Sequence, residues 1–252
     1  MALIGATPGR RRVRPARDRR GFGRREHPLR IPIHRDGWPY IALAALLNAG
    51  LFWLAAWWGL ALLPVTLWVV AFFRDPQRVP PPGDRLLICP ADGRLLKPVA
   101  AVPPEELGLG GAERLRLSVF MNVFNVHVNR IPCNGTVMRL AYRPGAFFNA
   151  SFDKASVRNE RQSIRLRPDW AVAGTPENGA ADVVLVQIAG LIARRIGCEL
   201  KEGQRVWRGK RFGIIRFGSR VDIYLPDGAR PLAKEGQNVR AGETVLAEFP
   251  SS

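Results

Sequence analysis

The chain has 252 residues, of which 47% are hydrophobic and 23% are charged, and its formal net charge is +17. Residues 1–38 contain eleven arginines against three acidic residues, whereas residues 37–73 contain no Asp, Glu, Lys or Arg. This unevenness excludes both a uniformly soluble globular domain and a wholly disordered basic protein. Three cysteines without a CxxC spacing argue against a disulfide-stapled secreted fold and favour a reducing compartment.

The first 38 residues are predicted to form a disordered basic arm. The run GRRRVRPARDRRGFGRREHPLR mixes arginine with glycine and proline and has few large apolar side chains, so it buries too little surface to offset its ordering entropy. Such a segment is attracted to an anionic lipid surface by about 1 kcal/mol per basic residue. Because no aromatic interleaving or RNA-binding motif accompanies it, we expect no nucleic-acid partner.

Residues 39–75 are predicted to be a hydrophobic helical membrane anchor. One straight helix over Tyr40 to Phe73 would be about 50 Å long, against a hydrocarbon core of about 30 Å. Two shorter helices, broken near Trp58-Gly59 or near 48–50, fit better, as a hairpin or a monotopic anchor. Arginines flank both ends of the block, which by the positive-inside rule predicts attachment to the cytoplasmic face of the cell membrane.

The remainder, 76–252, reads as a β-rich domain, so the predicted fold class is α+β and mostly β. Short runs rich in Val, Ile and aromatic residues alternate with Gly, Pro and Asp, and only 103–112 and 148–160 are candidates for short helices or loops. The sequence KEGQ-x-V-x-x-G occurs at Lys201 and again at Lys234. Two related hairpin units predict a lipoyl- or biotinyl-like flattened β-barrel, which serves as a scaffold because a carrier lysine tip is missing.

Few residues are candidates for chemistry. Of the three histidines, His27 and His34 lie in the arm, and His127 lies in the strand-like FNVHVNRIP, where a structural role is the alternative to a catalytic one. Asp92 in PADG also fits an ordinary turn aspartate. No zinc-ligand spacing and no phosphate-binding glycine loop is present, so we expect no metal.

Ser219, in IIRFGSRVDIYLP, is the candidate nucleophile. Its flanks are β-like on both sides and Phe217 stands two residues before it, so it is not the G-x-S-x-G elbow of hydrolases. A glycine inside a strand often marks a bulge or a close backbone approach. One specific hypothesis is that the Gly218-Ser219 peptide bond is itself the site of chemistry, with glycine giving the serine hydroxyl access to the preceding carbonyl.

Five motifs together carry a resemblance: FFRDPQR, PADG, FNVHVNRIP, YRPGAFFNASFDKAS with NER, and RFGSRVD. In this order and spacing they resemble the phosphatidylserine decarboxylase family, in its short, archaetidylserine-decarboxylase-like branch. The resemblance runs from about Asn48 to Phe249 and leaves the basic arm outside.

The resemblance implies a membrane-bound enzyme that cuts itself between Gly218 and Ser219. The products would be a β chain of 1–218 and an α chain of 219–252, associated as an αβ heterodimer or a higher oligomer. Ser219 would become a covalent pyruvoyl cofactor that forms a Schiff base with phosphatidylserine and yields phosphatidylethanolamine and CO₂.

The resemblance also assigns roles within the site. Asp92, His127 and Ser219 would form a protease-like triad for maturation, in which the histidine removes the serine proton and the aspartate holds its tautomer. Arg130 stands where the long bacterial branch has a second histidine, so His127 serves both maturation and product protonation, or water or another side chain takes one role. Arg74 and Arg78 are candidates for holding the lipid phosphate.

Two other functions are compatible with the residues alone. A membrane-anchored serine peptidase would use the same three side chains on other proteins and would remain one intact chain. A non-enzymatic membrane adaptor would combine the barrel with the lipid-binding arm, and replacing Ser219 by alanine would then change nothing.

Overall fold

The computed structural model describes residues 32–145, 159–171, 179–190, 195–216 and 218–249. Most of the predicted basic arm, 1–31, and most of the predicted loop or short helix at 148–160 lie outside these residues. The described helices are two α-helices and two short 3-10 helices: α1 (Trp38–Leu54), α2 (Ala56–Phe72), Arg35–Gly37 and Glu105–Leu107. The last of these falls within the predicted 103–112 segment.

The apolar block forms two helices, as predicted, but both predicted break points are wrong. The break is at Ala55, whose backbone is extended (φ −159°, ψ 109°). Asn48 and Gly59 lie inside the helices, and the Asn48 side-chain amide donates to the Gly59 carbonyl at 3.1 Å. A Cβ on Gly59 would lie 2.5 Å from the Cβ of Phe52. The glycine therefore permits close helix packing rather than a turn.

The surface of this helical hairpin is apolar and largely exposed. No residue of α1 is buried, and Trp53 and Trp57 near the hairpin tip are 86% and 83% exposed. The helical stretch Arg35–Leu54 is long and apolar enough to cross a membrane, whereas α2 is shorter. The hairpin thus presents an apolar surface that the rest of the described chain leaves open.

The rest of the described chain is built of short strands. They are β1 (Leu86–Ile88), β2 (Gly93–Leu95), β3 (Val99–Ala101), β4 (Arg114–Met121), β5 (Val128–Arg130), β6 (Gly135–Arg143), β7 (Arg161–Pro168), β8 (Val183–Ala189), β9 (Ile196–Cys198), β10 (Arg205–Val206), β11 (Arg211–Ile215), β12 (Ser219–Tyr224), β13 (Arg230–Pro231), β14 (Asn238–Val239) and β15 (Val245–Glu248).

These strands form three antiparallel sheets. The largest runs in the order β10-β6-β7-β8-β12-β4-β2-β14, with β3 also paired to β4, and the smaller sheets are β1-β15-β13 and β5-β11-β9. The mostly β, α+β class is confirmed. Among the described strands the large sheet runs open from β10 to β14, so a closed lipoyl-like barrel is not confirmed.

The sequence repeat is confirmed as a structural repeat. In both copies the lysine N–H donates to the glutamine side-chain oxygen three residues on, at 2.9 Å for Lys201 to Gln204 and 3.0 Å for Lys234 to Gln237. The glycine of each KEGQ has a positive φ, +75° in the first copy and +78° in the second. The same four residues therefore build the same turn twice.

The two-fold relation extends beyond the visible repeat, into 88–95 and 130–137. The Ile88 N–H donates to the Pro132 carbonyl at 3.0 Å, and in the reciprocal bond the Arg130 N–H donates to the Pro90 carbonyl at 2.9 Å. Gly209 and Gly242, the second glycines of the repeat, each donate at 2.8 Å, to the carbonyls of Ile131 and Cys89 respectively. These matched bonds define two equivalent units that pack around a local two-fold axis.

Candidate active site

Ser219 is the first residue of β12, a central strand of the large sheet. It pairs with Met121 of β4 on one side and Ala189 of β8 on the other, so it is held from both sides. The prediction of a glycine inside a strand is corrected, because β11 ends at Ile215 and Gly218 lies in the connection just before β12. Gly218 has φ +71°, and apart from its chain neighbours no atom of the described residues lies within 4 Å of where its Cβ would be.

The Ser219 hydroxyl is fully buried, and among the residues that the structure describes it has no hydrogen-bond partner. A buried polar atom without a partner costs about 1 to 3 kcal/mol. Such groups concentrate at reactive sites, where the missing partner is the reacting group. The burial and the open space at Gly218 together suit attack on the neighbouring peptide bond.

His127 lies at the start of β5 and is likewise fully buried. Its Nδ1 is 3.0 Å from the carbonyl oxygen of Asn125, and because a carbonyl only accepts, Nδ1 carries the proton. Nε2 is then an unprotonated acceptor, and it meets no partner among the described residues. Burial lowers the pKa of His127 to about 4, and the nearby Arg74 acts in the same direction. The imidazole is therefore a neutral base at pH 7.

The backbone brings His127 towards the cleavage segment. The Ile215 N–H, four residues before Ser219, is 3.4 Å from the His127 carbonyl oxygen. The imidazole ring packs against Phe72 at the end of α2, with ring centroids 4.3 Å apart. The helical hairpin therefore forms one wall of the site.

Asp92 has two structural partners. One carboxylate oxygen accepts from the Ala241 N–H at 2.7 Å, and the other accepts from Arg78 at 2.9 Å. Asn134 occupies the equivalent place in the other unit of the two-fold and accepts from the Arg208 N–H at 2.8 Å. Burial raises the pKa of Asp92, against the opposing effect of the Ala241 hydrogen bond and of Arg78.

Neither hydrogen bond of the predicted triad is present within the described chain, because Ser219 Oγ and His127 Nε2 each lack a partner there. The Asp92 carboxylate accepts hydrogen bonds from Arg78 and from the Ala241 N–H. His127 Nδ1–H donates to the Asn125 carbonyl. Within the described chain these bonds take the place of the expected Asp-His hydrogen bond. The residue that holds the tautomer is thus Asn125, through its backbone. Arg74 lies close enough to influence the pKa of both His127 and Asp92.

Arg78 does not suit the expected phosphate contact. Its guanidinium is committed to Asp92 and to Glu243, and its side chain is 11% exposed. Arg74 instead donates to the carbonyls of Ala71 and Phe124, both at 2.7 Å. It ties the end of α2 to the loop that precedes His127.

A buried amide pair near Ser219 escaped the sequence analysis. Gln187 lies opposite Val221 and so shares a sheet face with Ser219. Its side-chain amide donates to the Asn129 side chain at 2.8 Å, and both residues are fully buried. The Gln187 side-chain oxygen has no partner among the described residues. The available signal was a single polar residue in the apolar run VVLVQIA.

The opposite face of β12 carries a buried ion pair. Arg220 and Asp222 are fully buried, and the guanidinium donates to both carboxylate oxygens, at 2.6 and 2.7 Å. Breaking such a pair leaves an uncompensated charge and costs about 3 to 5 kcal/mol. The pair therefore fixes the strand immediately after the Gly218-Ser219 bond.

Metal ligands are sparse in this region. Across the ranges that the structure describes, no three His, Cys, Asp or Glu side chains come together in a group that could hold a metal ion. The chemistry available from the described side chains is therefore that of a buried hydroxyl, a neutral imidazole and a carboxylate surrounded by arginines.

Comparisons with known proteins agree on one family. The family model described as phosphatidylserine decarboxylase matches residues 65–247. A protein of Paramagnetospirillum magneticum named phosphatidylserine decarboxylase proenzyme is 52% identical over 227 residues, covering 89% of this chain and 90% of that protein. Proteins with the same name from Azorhizobium caulinodans (48% over 222 residues, 88% and 91%) and Rickettsia akari (50% over 220 residues, 86% and 90%) are similar over nearly the same length. The matched region contains Asp92, His127 and Ser219.

Proposed function

The chain belongs to the phosphatidylserine decarboxylase family, and on that premise we propose that it cuts itself between Gly218 and Ser219 and then converts phosphatidylserine to phosphatidylethanolamine and CO₂. It is a decarboxylase of the pyruvoyl-dependent, self-processing kind. The observation that carries the site assignment is that Ser219 Oγ and His127 Nε2 are both buried and, among the described residues, have no hydrogen-bond partner. Membership of the short branch stays a prediction.

Maturation begins with attack of Ser219 Oγ on the carbonyl carbon of Gly218, while His127 Nε2 takes the hydroxyl proton. The C–N bond breaks, the serine nitrogen receives that proton, and an ester joins the two residues. Loss of the Ser219 Cα proton then expels Gly218 as a carboxylate, the new C-terminus of the β chain. Addition of water and release of ammonia leave a ketone carbonyl at position 219.

The surroundings of Ser219 fit the pyruvoyl group that this sequence of steps would produce. The group would stand at the start of β12 between Met121 and Ala189, in a buried position. When formed, it supplies an electron sink for the bond that loses CO₂. Gln187 on the same face as Ser219, and Asn129 bonded to it from β5, offer amide groups for the polar part of the substrate.

Asp92 contributes through space in this proposal. Because Asn125 already orients His127, we assign to the negative charge of Asp92 the role of offsetting Arg74, whose charge acts against a protonated imidazole. Both charge states of His127 matter, since the imidazole is transiently protonated during the acyl shift. His127 is also the proposed proton donor to the decarboxylated product.

The rest of the chain serves the lipid surface. We assign 1–38 to a basic arm that binds anionic lipid, 39–75 to the membrane anchor and 76–252 to the decarboxylase domain, whose two-fold unit corresponds to the flattened barrel of lipoyl type. The enzyme is an αβ heterodimer on the cytoplasmic face of the cell membrane. The exposed apolar hairpin supports this placement.

Intact-mass analysis of the purified full-length protein tests the proposal. We expect an α fragment of about 34 residues that begins at position 219 with a carbonyl in place of its amine, and CO₂ release from phosphatidylserine vesicles. Ser219→Ala should give an intact and inactive chain. A wild-type preparation that releases CO₂ while remaining one intact chain would overturn the proposed maturation.

The same experiment separates the two other candidate functions. A peptidase acting on other proteins would keep its chain intact and react with serine-directed inhibitors. An adaptor would lose nothing measurable with Ser219→Ala. The geometry favours intramolecular attack over both.

A further inference from the structure

The base of the helical hairpin contacts both sides of the proposed cleavage chemistry. On one side Phe72 stacks on His127. On the other side Arg216, two residues before Gly218, reaches back to the start of the hairpin. Its guanidinium donates to the Asp36 carboxylate at 2.8 Å and to the Tyr40 hydroxyl at 3.0 Å.

The Arg216 contact is partly shielded from water and reinforced by aromatic rings. The side chains of Arg216 and Asp36 are 20% and 25% exposed. The guanidinium also lies 5.6 Å from the ring centroid of Tyr40, within range of a cation-π interaction. Tyr40 stacks in turn on Phe73 at 5.3 Å. The contact therefore joins the connection 216–218 to both ends of the hairpin.

The two sides of the Gly218-Ser219 bond are held by different means. Ser219 is fixed by pairing with two strands. The next residue, Arg220, is anchored by its ion pair with Asp222. Gly218 lies before the strand and has a positive φ, with no described atom other than those of its chain neighbours within 4 Å of its Cβ position, so strand pairing does not fix it as it fixes Ser219. Attack by a hydroxyl on a neighbouring carbonyl depends steeply on orientation, and a misplacement of about 1 Å can cost about 100-fold in rate.

We propose that Arg216 is a positioning residue for self-cleavage, and that its contact with Asp36 and Tyr40 makes maturation depend on a correctly seated membrane hairpin. This inference rests on the proposed function. It gives the hairpin a second role, because the anchor then holds the carbonyl side of the scissile bond. A chain whose hairpin is displaced would stay uncut.

The test measures the rate of chain cleavage in full-length protein synthesised in the presence of phosphatidylserine-containing vesicles. We expect Arg216→Ala to slow cleavage at least about tenfold and Arg216→Lys to slow it less, since the lysine keeps the charge. The double variant Asp36→Arg with Arg216→Asp should recover part of the rate that each single variant loses. Recovery by a reversed pair distinguishes positioning from a general loss of structure.

Glu199→Gln is the matched control. It removes a neighbouring ion pair of similar length, Arg35 to Glu199 at 2.8 Å, which ties the same segment to the domain without involving the connection 216–218. We expect this variant to cleave at the wild-type rate. Equal slowing by Glu199→Gln and Arg216→Ala, or a double variant no faster than the single ones, would overturn the positioning role.

Failure of the inference is distinguishable from failure of the proposed function. If wild-type protein cleaves and Arg216→Ala keeps pace with it, only the role of Arg216 is refuted. If wild-type protein does not cleave while it decarboxylates its substrate, the proposed maturation and the role of Arg216 fall together.

Discussion

Replacement of Asp92 by asparagine separates the charge of this residue from its structural bond. The other unit of the two-fold already carries an asparagine, Asn134, whose side-chain oxygen accepts a backbone N–H at 2.8 Å, as Asp92 accepts one at 2.7 Å. An asparagine at position 92 can therefore keep the Ala241 bond. What it removes is the negative charge beside Arg78.

The structure sets the size of both expected effects. Loss of the charged hydrogen bond to Arg78 costs about 1.5 to 3 kcal/mol of unfolding free energy, which a domain of ordinary stability tolerates, and Arg78 keeps Glu243 at 3.2 Å. Maturation loses the charge that offsets Arg74, which acts against a protonated His127. An interaction of about 1.4 kcal/mol between Asp92 and the transiently protonated imidazole corresponds to about tenfold in rate.

The assay follows cleavage of pulse-labelled full-length chain together with denaturant unfolding of the purified protein. We expect Asp92→Asn to remain folded and to cleave at least about tenfold more slowly than the wild type. Asn134→Asp is the control, since it keeps the bond to Arg208 and should cleave at the wild-type rate. Cleavage of Asp92→Asn at the wild-type rate would refute the electrostatic role and leave Asp92 a turn residue.

Four further outcomes follow from the geometry. Because burial lowers the pKa of His127 to about 4, the base form persists as pH falls, so the cleavage rate followed by mass should be level from pH 8 to about 5 and drop near pH 4; a drop centred at pH 6.5 would contradict the assignment. The Cβ of Gly218→Ala has room, but alanine disfavours the positive φ of this position. We therefore expect denaturant unfolding to show about 1 to 2 kcal/mol of destabilisation, and cleavage to be slowed but not abolished. Gln187→Leu should still mature but raise the KM for phosphatidylserine several-fold in a CO₂-release assay, and an unchanged KM would limit the amide to a packing role. Trp57→Ser should weaken co-sedimentation with anionic vesicles, whereas Trp207→Ser, 53% exposed on the β domain, should not.

The sequence predicted the hairpin and the repeat but misjudged what its glycines do. The poor intrinsic helix propensity of glycine favours a break at Gly59. In the folded hairpin it lies against Phe52 and accepts the Asn48 hydrogen bond, so tertiary packing overrides the local preference. The break falls instead at Ala55, where no residue type signals it.

The two-fold relation was only half visible in the sequence for a related reason. KEGQ is repeated letter for letter because a tight turn with a positive φ constrains residue type. The partner segments 88–95 and 130–137 are related through backbone hydrogen bonds, which almost any side chain permits, so their sequences diverge. The role of Asn134 as the counterpart of Asp92 could be found only in the structure.

The catalytic residue types were predictable, but their mutual arrangement was not. Motifs identify Ser219, His127 and Asp92 as candidates. In the structure, Ser219 Oγ and His127 Nε2 are buried and have no hydrogen-bond partner among the described residues. The partner of His127 Nδ1 is a backbone carbonyl of its own loop, and a loop conformation that places such a carbonyl leaves no residue-type pattern. Gln187 was missed because burial of one amide in an apolar strand is decided by its neighbours across the sheet.

The proposed cleavage site lies between β11 and β12, and a cut there would change the unfolding equilibrium of the protein. One KEGQ unit, at 201–215, stays with the β chain and the other, at 234–248, goes to the α chain, so the matched bonds of the two-fold pass from within one chain to between two. Unfolding of the uncut precursor is unimolecular, whereas unfolding of the cut protein releases two chains and becomes concentration-dependent. A denatured precursor can refold as a single chain. After cleavage, the separated β and α chains must first associate by diffusion before the fold can form again. Cleavage would therefore make unfolding much harder to reverse.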